Sequence, residues 1–311
     1  MNASKTLAAT AAVMFAAAAN GLASAATWLV PGDFATIQLA IDDGAVVDGD
    51  EIRVASGNHA GALVTKRVEI KGEGGAVIDS GPLHGSGLLQ GFRLLTGSAG
   101  ATISHLDFDG VDLAIMNGEA VDDITVEHST FRNTIQAISN WRGNGWQISH
   151  NTITDLRTLC GGGIGILVGD YLGGTVHDNV VSHNNISGTL HVSAGDCGTY
   201  NGTGIVLYAD FRWGAAGTIA INFNRVVKNT IGLVSDTPLV VNVVAIELTE
   251  AEAPTGPFIL DNAIGFNDLR ETVLQLVLTP TTLDAVNDIS RNLGENRGHG
   301  LHPSVFQPGG N

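Results

Sequence analysis

With 311 residues, 44% of them apolar and 15% charged, the chain is too apolar to be disordered and long enough to bury a sizeable core. Its formal net charge of −16, without a cluster of Lys or Arg, argues against nucleic acid and anionic lipid as partners, because neutralising phosphates needs grouped cations. The 41 glycines, the 5% aromatic content and short bursts of Val, Ile, Thr and Asn predict many short strands with tight turns rather than long helices.

Residues 1–25 carry one lysine, Lys5, then an alanine-rich run ending in Ala23-Ser24-Ala25. This is the layout of a secretory signal peptide cleaved after Ala25, and its run is shorter than the roughly 20 residues a membrane span needs. Residues 26–311 are then expected to be a single domain, secreted or periplasmic, with no membrane span in the mature chain. In its cap, residues 27–50, Trp28 to Val30 reads as a strand, Pro31-Gly32 as a turn, and Asp33 as the cap of an amphipathic helix from Phe34 to Ile41. Coils occupy about 51–303, followed by a short C-terminal tail. They open with Glu51 to Val54, Ala62 to Val64, Val68 to Ile70 and Val77-Ile78, parted by corners containing Gly57, Gly72 and Gly75.

The run from Phe34 through Gly49-Asp-Glu-Ile-Arg-Val-Ala-Ser-Gly57, Val68-Glu-Ile-Lys-Gly72 and Val77-Ile-Asp79 resembles the opening of right-handed parallel β-helix proteins of the pectin-lyase-like superfamily. The resemblance implies an all-β solenoid whose N-terminal end is plugged by a short amphipathic helix. That superfamily holds lyases, hydrolases, esterases, epimerases and non-catalytic proteins, so the fold alone assigns no activity.

Farther along, one phrase recurs. It reads Ile103-Ser-His105, Val126-Glu-His128, Ile148-Ser-His150, Val176-His-Asp178, Ile221-Asn-Phe223, Ile259-Leu-Asp261 and Ile289-Ser-Arg291. The next position holds Leu106, Ser129, Asn151, Asn179, Asn224, Asn262 and Asn292, at spacings of 23, 22, 28, 45, 38 and 30 residues. A solenoid tolerates such uneven spacing because insertions loop out of the stack. The asparagines Asn151, Asn179, Asn224, Asn262 and Asn292 are expected to form one structural ladder of side-chain amides, since Asn also suits a left-handed corner. The preceding column, led by His105, His128, His150 and Asp178, reads as stacked and partly solvated; parallel stacking aims ligands alike instead of converging them, so no metal site is assigned.

Cys160 precedes Ile166 by six residues and Cys197 precedes Ile205 by eight, while Ile166 and Ile205 hold the same slot of consecutive coils. A Cys160–Cys197 disulfide in an oxidising compartment is expected. The loops after the second strand of these coils bring together Trp141, Arg142, Asp170, Tyr171, Asp210, Phe211, Arg212 and Trp213. Aromatic faces beside carboxylates and guanidinium groups suit sugar rings, which offer apolar faces and hydroxyl edges. For chemistry, Asp170 and Asp210 are the candidate carboxylate pair of a glycoside hydrolase, and Arg142 or Arg212 the candidate cation of a lyase, the one case in which Ca2+ would enter; otherwise no cofactor is expected. Gly298-His299-Gly300 looks like one motif of polygalacturonase-type hydrolases, but its partner motifs are missing. The sequence therefore points to an exported β-helix protein that binds a polysaccharide through this aromatic and charged loop face; no catalytic motif is complete, and whether the chain also cleaves the polysaccharide stays open. The alternative is a non-catalytic envelope scaffold or adhesin, and the sequence leaves the oligomeric state open.

Overall fold

A three-residue strand buries one inward side chain, so none of the strands in this sequence is stable unless its neighbours stack on it in register. The computed structural model describes residues 25–159, 163–193, 201–214, 219–237 and 242–298, with Pro303, Val305, Gln307 and Pro308. Cys160, Cys197 and residues 1–24 of the expected signal peptide lie outside the described residues.

Among the described residues the strands form parallel sheets of ten, nine, seven and three strands, and the fold is a parallel β-helix. Register makes the core. In the ten-stranded sheet Ile52, Ile70, Ile103, Val126, Ile148, Val181, Val226, Ile264 and Ile289 sit one above another. Burying each such side chain is worth about 1.5–3 kcal/mol. In the seven-stranded sheet the rings of Phe108 and Phe131 stack at 4.7 Å and 4°.

The capping helix runs from Ile37 to Asp42, three residues later than Phe34, and turns Ile37, Ala40 and Ile41 inward. Thr36, not Asp33, is its N-cap: Thr36 is extended and its side chain accepts from the Leu39 amide. Asp33 instead accepts from the Leu29 amide at 2.9 Å, closing the turn before the helix.

The asparagines expected in one column belong to two. From Gly174 onward each coil gains a strand, Gly174–His177, Ile219–Asn222 and Ile259–Leu260, which pair with one another in the three-stranded sheet. The added strand creates an added corner five residues before the old one. Asn179, Asn224, Asn262 and Asn287 line the new corner, and Asn140 donates to the first of them from the strand of the coil before. Ser129, Asn151, Asn184, Asn229, Asn267 and Asn292 line the original one. In each ladder a side-chain carbonyl accepts from both the backbone and the side-chain amide of the asparagine one coil earlier, at 2.8 to 3.1 Å between Asn179 and Asn224.

The histidine column is re-registered for the same reason. His105, His128, His150 and His183 are left-handed at φ 57°, 51°, 57° and 56°, and their rings stack at 5.2, 5.1 and 4.9 Å. Asp178 belongs to the other corner. Among the described residues no group of three or more His, Cys, Asp and Glu side chains is arranged to hold a metal.

The nine-stranded sheet differs from the others. Strands such as Thr125–Glu127 bury only their inward residue, whereas Leu113–Asn117, Gln136–Trp141, Ile164–Asp170, Gly202–Asp210 and Val243–Ala251 are buried along their whole length. Its inner row is Phe92, Ile115, Ile138, Ile166, Ile205, Ile246 and Leu276; the row beside it, on the outer face, is Arg93, Met116, Ser139, Leu167, Val206, Glu247 and Val277. Met116, Leu167 and Val206 join Trp141 and Tyr208 in a second apolar cluster, against which Leu88, Tyr171 and Val305 pack. The outer face of this sheet is roofed.

Candidate functional site

The roofed sheet ends at the loops that carry the eight expected binding residues, and it sorts them into three groups. Trp141 is only 1% exposed, wedged edge-on between Tyr171 at 5.3 Å and Tyr208 at 6.3 Å. Its ring is a wall of the second apolar cluster rather than an open platform. Arg142 follows in the left-handed region, φ 67°, where its amide bonds the Gly169 carbonyl at 2.8 Å and its Nε lies 3.5 Å from Asp170 Oδ1. Asp170 is 0% exposed; the same Oδ1 accepts from the amides of Leu172 and Gly173 and fixes the turn that projects Tyr171. The Tyr171 phenol is held above its ordinary pKa by partial burial, with the Asp170 charge acting in the same sense and Arg142 and Arg93 opposing.

The second group is Asp210 with Arg212. Arg212 Nε and Nη2 donate to the two carboxylate oxygens of buried Asp210, each at 2.9 Å, and Nη2 also donates to the Tyr208 hydroxyl at 2.7 Å. The third group separates. Phe211 turns into the core and packs on Phe258 at 4.6 Å, while Trp213 stands 52% exposed. The expected aromatic face is thus two buried rings, one half-buried Tyr171 and one free Trp213.

Trp141, Arg142 and Tyr171 nevertheless meet at an open pocket of about 250 Å³, completed by Gly118, Glu119, Leu172 and Pro308. It offers an aromatic edge, a guanidinium and a carboxylate within one concavity. Around it buried polar atoms go unpaired. Gln90 Oε1, Arg93 Nε, Trp141 Nε1, Arg142 Nε and Asp170 Oδ2 make five of the seven such atoms among the described residues. Each unmet buried group costs about 1–3 kcal/mol, so their concentration marks this surface as distinct from the ladders.

Asp170 and Asp210 are both sequestered and both engaged by arginines, which suits anchoring of the loops. A different carboxyl, not singled out in the sequence, has its proton affinity raised by burial. Glu247 lies on the outer row of the nine-stranded sheet, fully buried. Its Oε1 accepts from Thr249 Oγ1 at 2.6 Å, and its Oε2 from Thr203 Oγ1 at 2.9 Å and Asn201 Nδ2 at 3.4 Å. Burial pushes its pKa up to about 7, and those three donors only partly offset the shift. The signal in the sequence was a charged residue at an outward position of an otherwise apolar strand, Val244 to Leu248.

No family model matches this chain and no curated protein does. Among solved structures the chain is similar to the tailspike protein gp49 from Acinetobacter baumannii bacteriophage Fri1, a capsular polysaccharide depolymerase, with a TM-score of 0.26 and 11% identity over 91% of this chain. The chain spans 63% of that protein's length, a likeness too loose to carry chemistry from one to the other.

Proposed function

We propose that this protein is exported and binds a polysaccharide at the edge of its nine-stranded sheet, around Trp141, Arg142 and Tyr171. The observation that carries the reading is the open pocket in which Tyr171, the Arg142 guanidinium and the Glu119 carboxylate converge. At about 250 Å³ it is smaller than the roughly 300–1,000 Å³ of drug-sized sites, a size for one or two sugar units of a longer chain. Binding is favoured over cleavage because Asp170 and Asp210 are both held by arginines and serve the loops as anchors. The test is a glycan array followed by calorimetry on the best glycan. Tyr171→Ala and Arg142→Gln should each weaken binding about tenfold, a loss of roughly 1.4 kcal/mol; undiminished affinity in both variants overturns the site. Trp141→Ala is unsuitable, because it would hollow out the second apolar cluster.

The scaffold reading draws on a separate observation, the exposed Phe266, Val273 and Leu293 in the last coils. An array without any bound glycan, together with self-association that Val273→Asp abolishes, would favour it.

A further inference from the structure

The roof over the nine-stranded sheet is made partly by the chain's own C-terminal residues, and their contacts are of two kinds. Pro303 bridges Asn201, beside the strand Gly202–Asp210, and Val305 packs on the second apolar cluster. Among the described residues, Gln307 and Pro308 make polar contacts. Gln307 Nε2 donates to Asp210 Oδ2 at 2.9 Å. The Gln307 carbonyl accepts from His84 Nε2 at 2.7 Å, and the Pro308 carbonyl accepts from Arg93 Nη2 at 3.3 Å. Pro308 then forms one side of the pocket shared with Trp141, Arg142 and Tyr171.

A roof that belonged permanently to the core would satisfy what it covers. This one does not. Arg93 Nε lacks a hydrogen-bond partner although its Nη2 is bonded, as do Trp141 Nε1, Asp170 Oδ2 and Gln90 Oε1, and Arg142 Nε has only the ion pair to Asp170 Oδ1 at 3.5 Å. The first four are two donors and two acceptors, the complement of a ligand rich in hydroxyl and other oxygen groups. Proline and valine side chains supply no such groups.

We infer that the described tail residues Pro303, Val305, Gln307 and Pro308 act as a displaceable strap, a tethered stand-in whose backbone carbonyls and Gln307 amide occupy positions that ligand oxygens and hydroxyls take when the strap lifts. The inference rests on the proposed binding site only for the identity of what displaces the strap. Because a strap lowers the fraction of binding-competent protein, the apparent dissociation constant is the intrinsic one divided by that fraction, and loosening the strap strengthens binding.

Hydroxyl-radical footprinting of the full chain tests the strap without any ligand. Met116 and Trp141 lie under the roof, while Trp146 lies in the inner core and is equally buried, so Trp146 reports global unfolding. In the native chain Met116 and Trp141 should be oxidised several-fold faster than Trp146. Gln307→Ala and Val305→Asp should raise that ratio at least threefold. Equal rates for all three residues in the native chain, or variants that leave the ratio unchanged with Trp146 still protected, overturn the strap. Should either variant unfold and expose Trp146, the native ratio and the other variant decide. In the same proteins, the best glycan from the array should bind Gln307→Ala three- to tenfold more tightly than the native chain. If footprints respond but no arrayed glycan binds either form, the strap stands and the glycan reading fails. A glycan bound equally by both forms shows that the strap does not guard the pocket.

Discussion

The asparagine corners and the outer face of the nine-stranded sheet are built by the same coils, yet they treat buried polar groups in opposite ways. At the corners each buried amide has its partners supplied by the coils before and after it, and the arrangement repeats with little change from Asn151 to Asn292. On the sheet, successive coils present Arg93, Met116, Ser139, Leu167, Val206 and Glu247 at one position, and several polar atoms nearby lack partners. Regularity at the corner holds the solenoid together; irregularity on the sheet is where specific recognition has room to reside.

The largest expected effect comes from breaking the regular side. Asn224 accepts two hydrogen bonds from Asn179 and donates to Val176, Asn222 and Asn262. Asn224→Leu should cost roughly 3–6 kcal/mol through the buried groups it strands, measured by denaturant unfolding; a loss under about 1 kcal/mol would mean that the ladder is ornamental. On the irregular side, Glu247 gives a pH test. Its pKa is raised in the folded protein to about 7 from an ordinary 4.5, so the folded state holds the proton more tightly. The associated stability is full below pH 4.5 and is lost as pH rises through 7, amounting to roughly 3 kcal/mol. Glu247→Gln should abolish this dependence and overtake the native protein in stability above pH 7, and parallel stability curves between pH 5 and 8 would refute the assignment. Smaller still is the tenfold loss of glycan affinity predicted for Tyr171→Ala, read beside the modest loss of stability expected from removing a half-buried ring that packs on Trp141. Smallest is His128→Ala. Its ring stacks between His105 and His150 on the exposed side of the corner, and its removal should change stability by less than about 0.5 kcal/mol.

The solenoid was legible in the sequence because its signal repeats: a branched apolar residue at Ile148, Ile221 and Ile259 with a corner amide three residues after it, Asn151, Asn224 and Asn262, survives without knowledge of any other chain segment. What misled was a local ambiguity. Val176 and Val181 stand five residues apart, as do Ile103 and Phe108, so a copy beginning at Val176 matches the phrase as well as one beginning at Val181. Only pairing between strands distant in sequence shows that Val181 continues the column of Ile148, while Val176 starts a new one. The site was legible in part. Arg142, Asp170 and Tyr171 come together as their loop positions implied, but Trp141 and Phe211 are buried. A residue type states what a side chain can do, and neighbours decide whether it is free to do it. Gln307, His84 and Arg93 were invisible for a related reason. They are 223 residues apart in the case of His84 and Gln307, and no periodicity connects a tail to the coils it crosses. Burial holds the His84 imidazole below its usual pKa, with the Gln307 carbonyl opposing and Arg93 adding to the shift; that too depends on a contact the sequence does not announce.

The asparagine ladders also have a direction. Asn151 donates to Asn184, Asn184 to Asn229, Asn229 to Asn267 and Asn267 to Asn292, and the second ladder points the same way. Each asparagine's backbone amide and one of its side-chain N–H groups are therefore met by the coil that follows, while its other side-chain N–H donates to a carbonyl of the coil before. A chain cut short at any of these rungs would leave its last asparagine with a pair of unmet N–H donors.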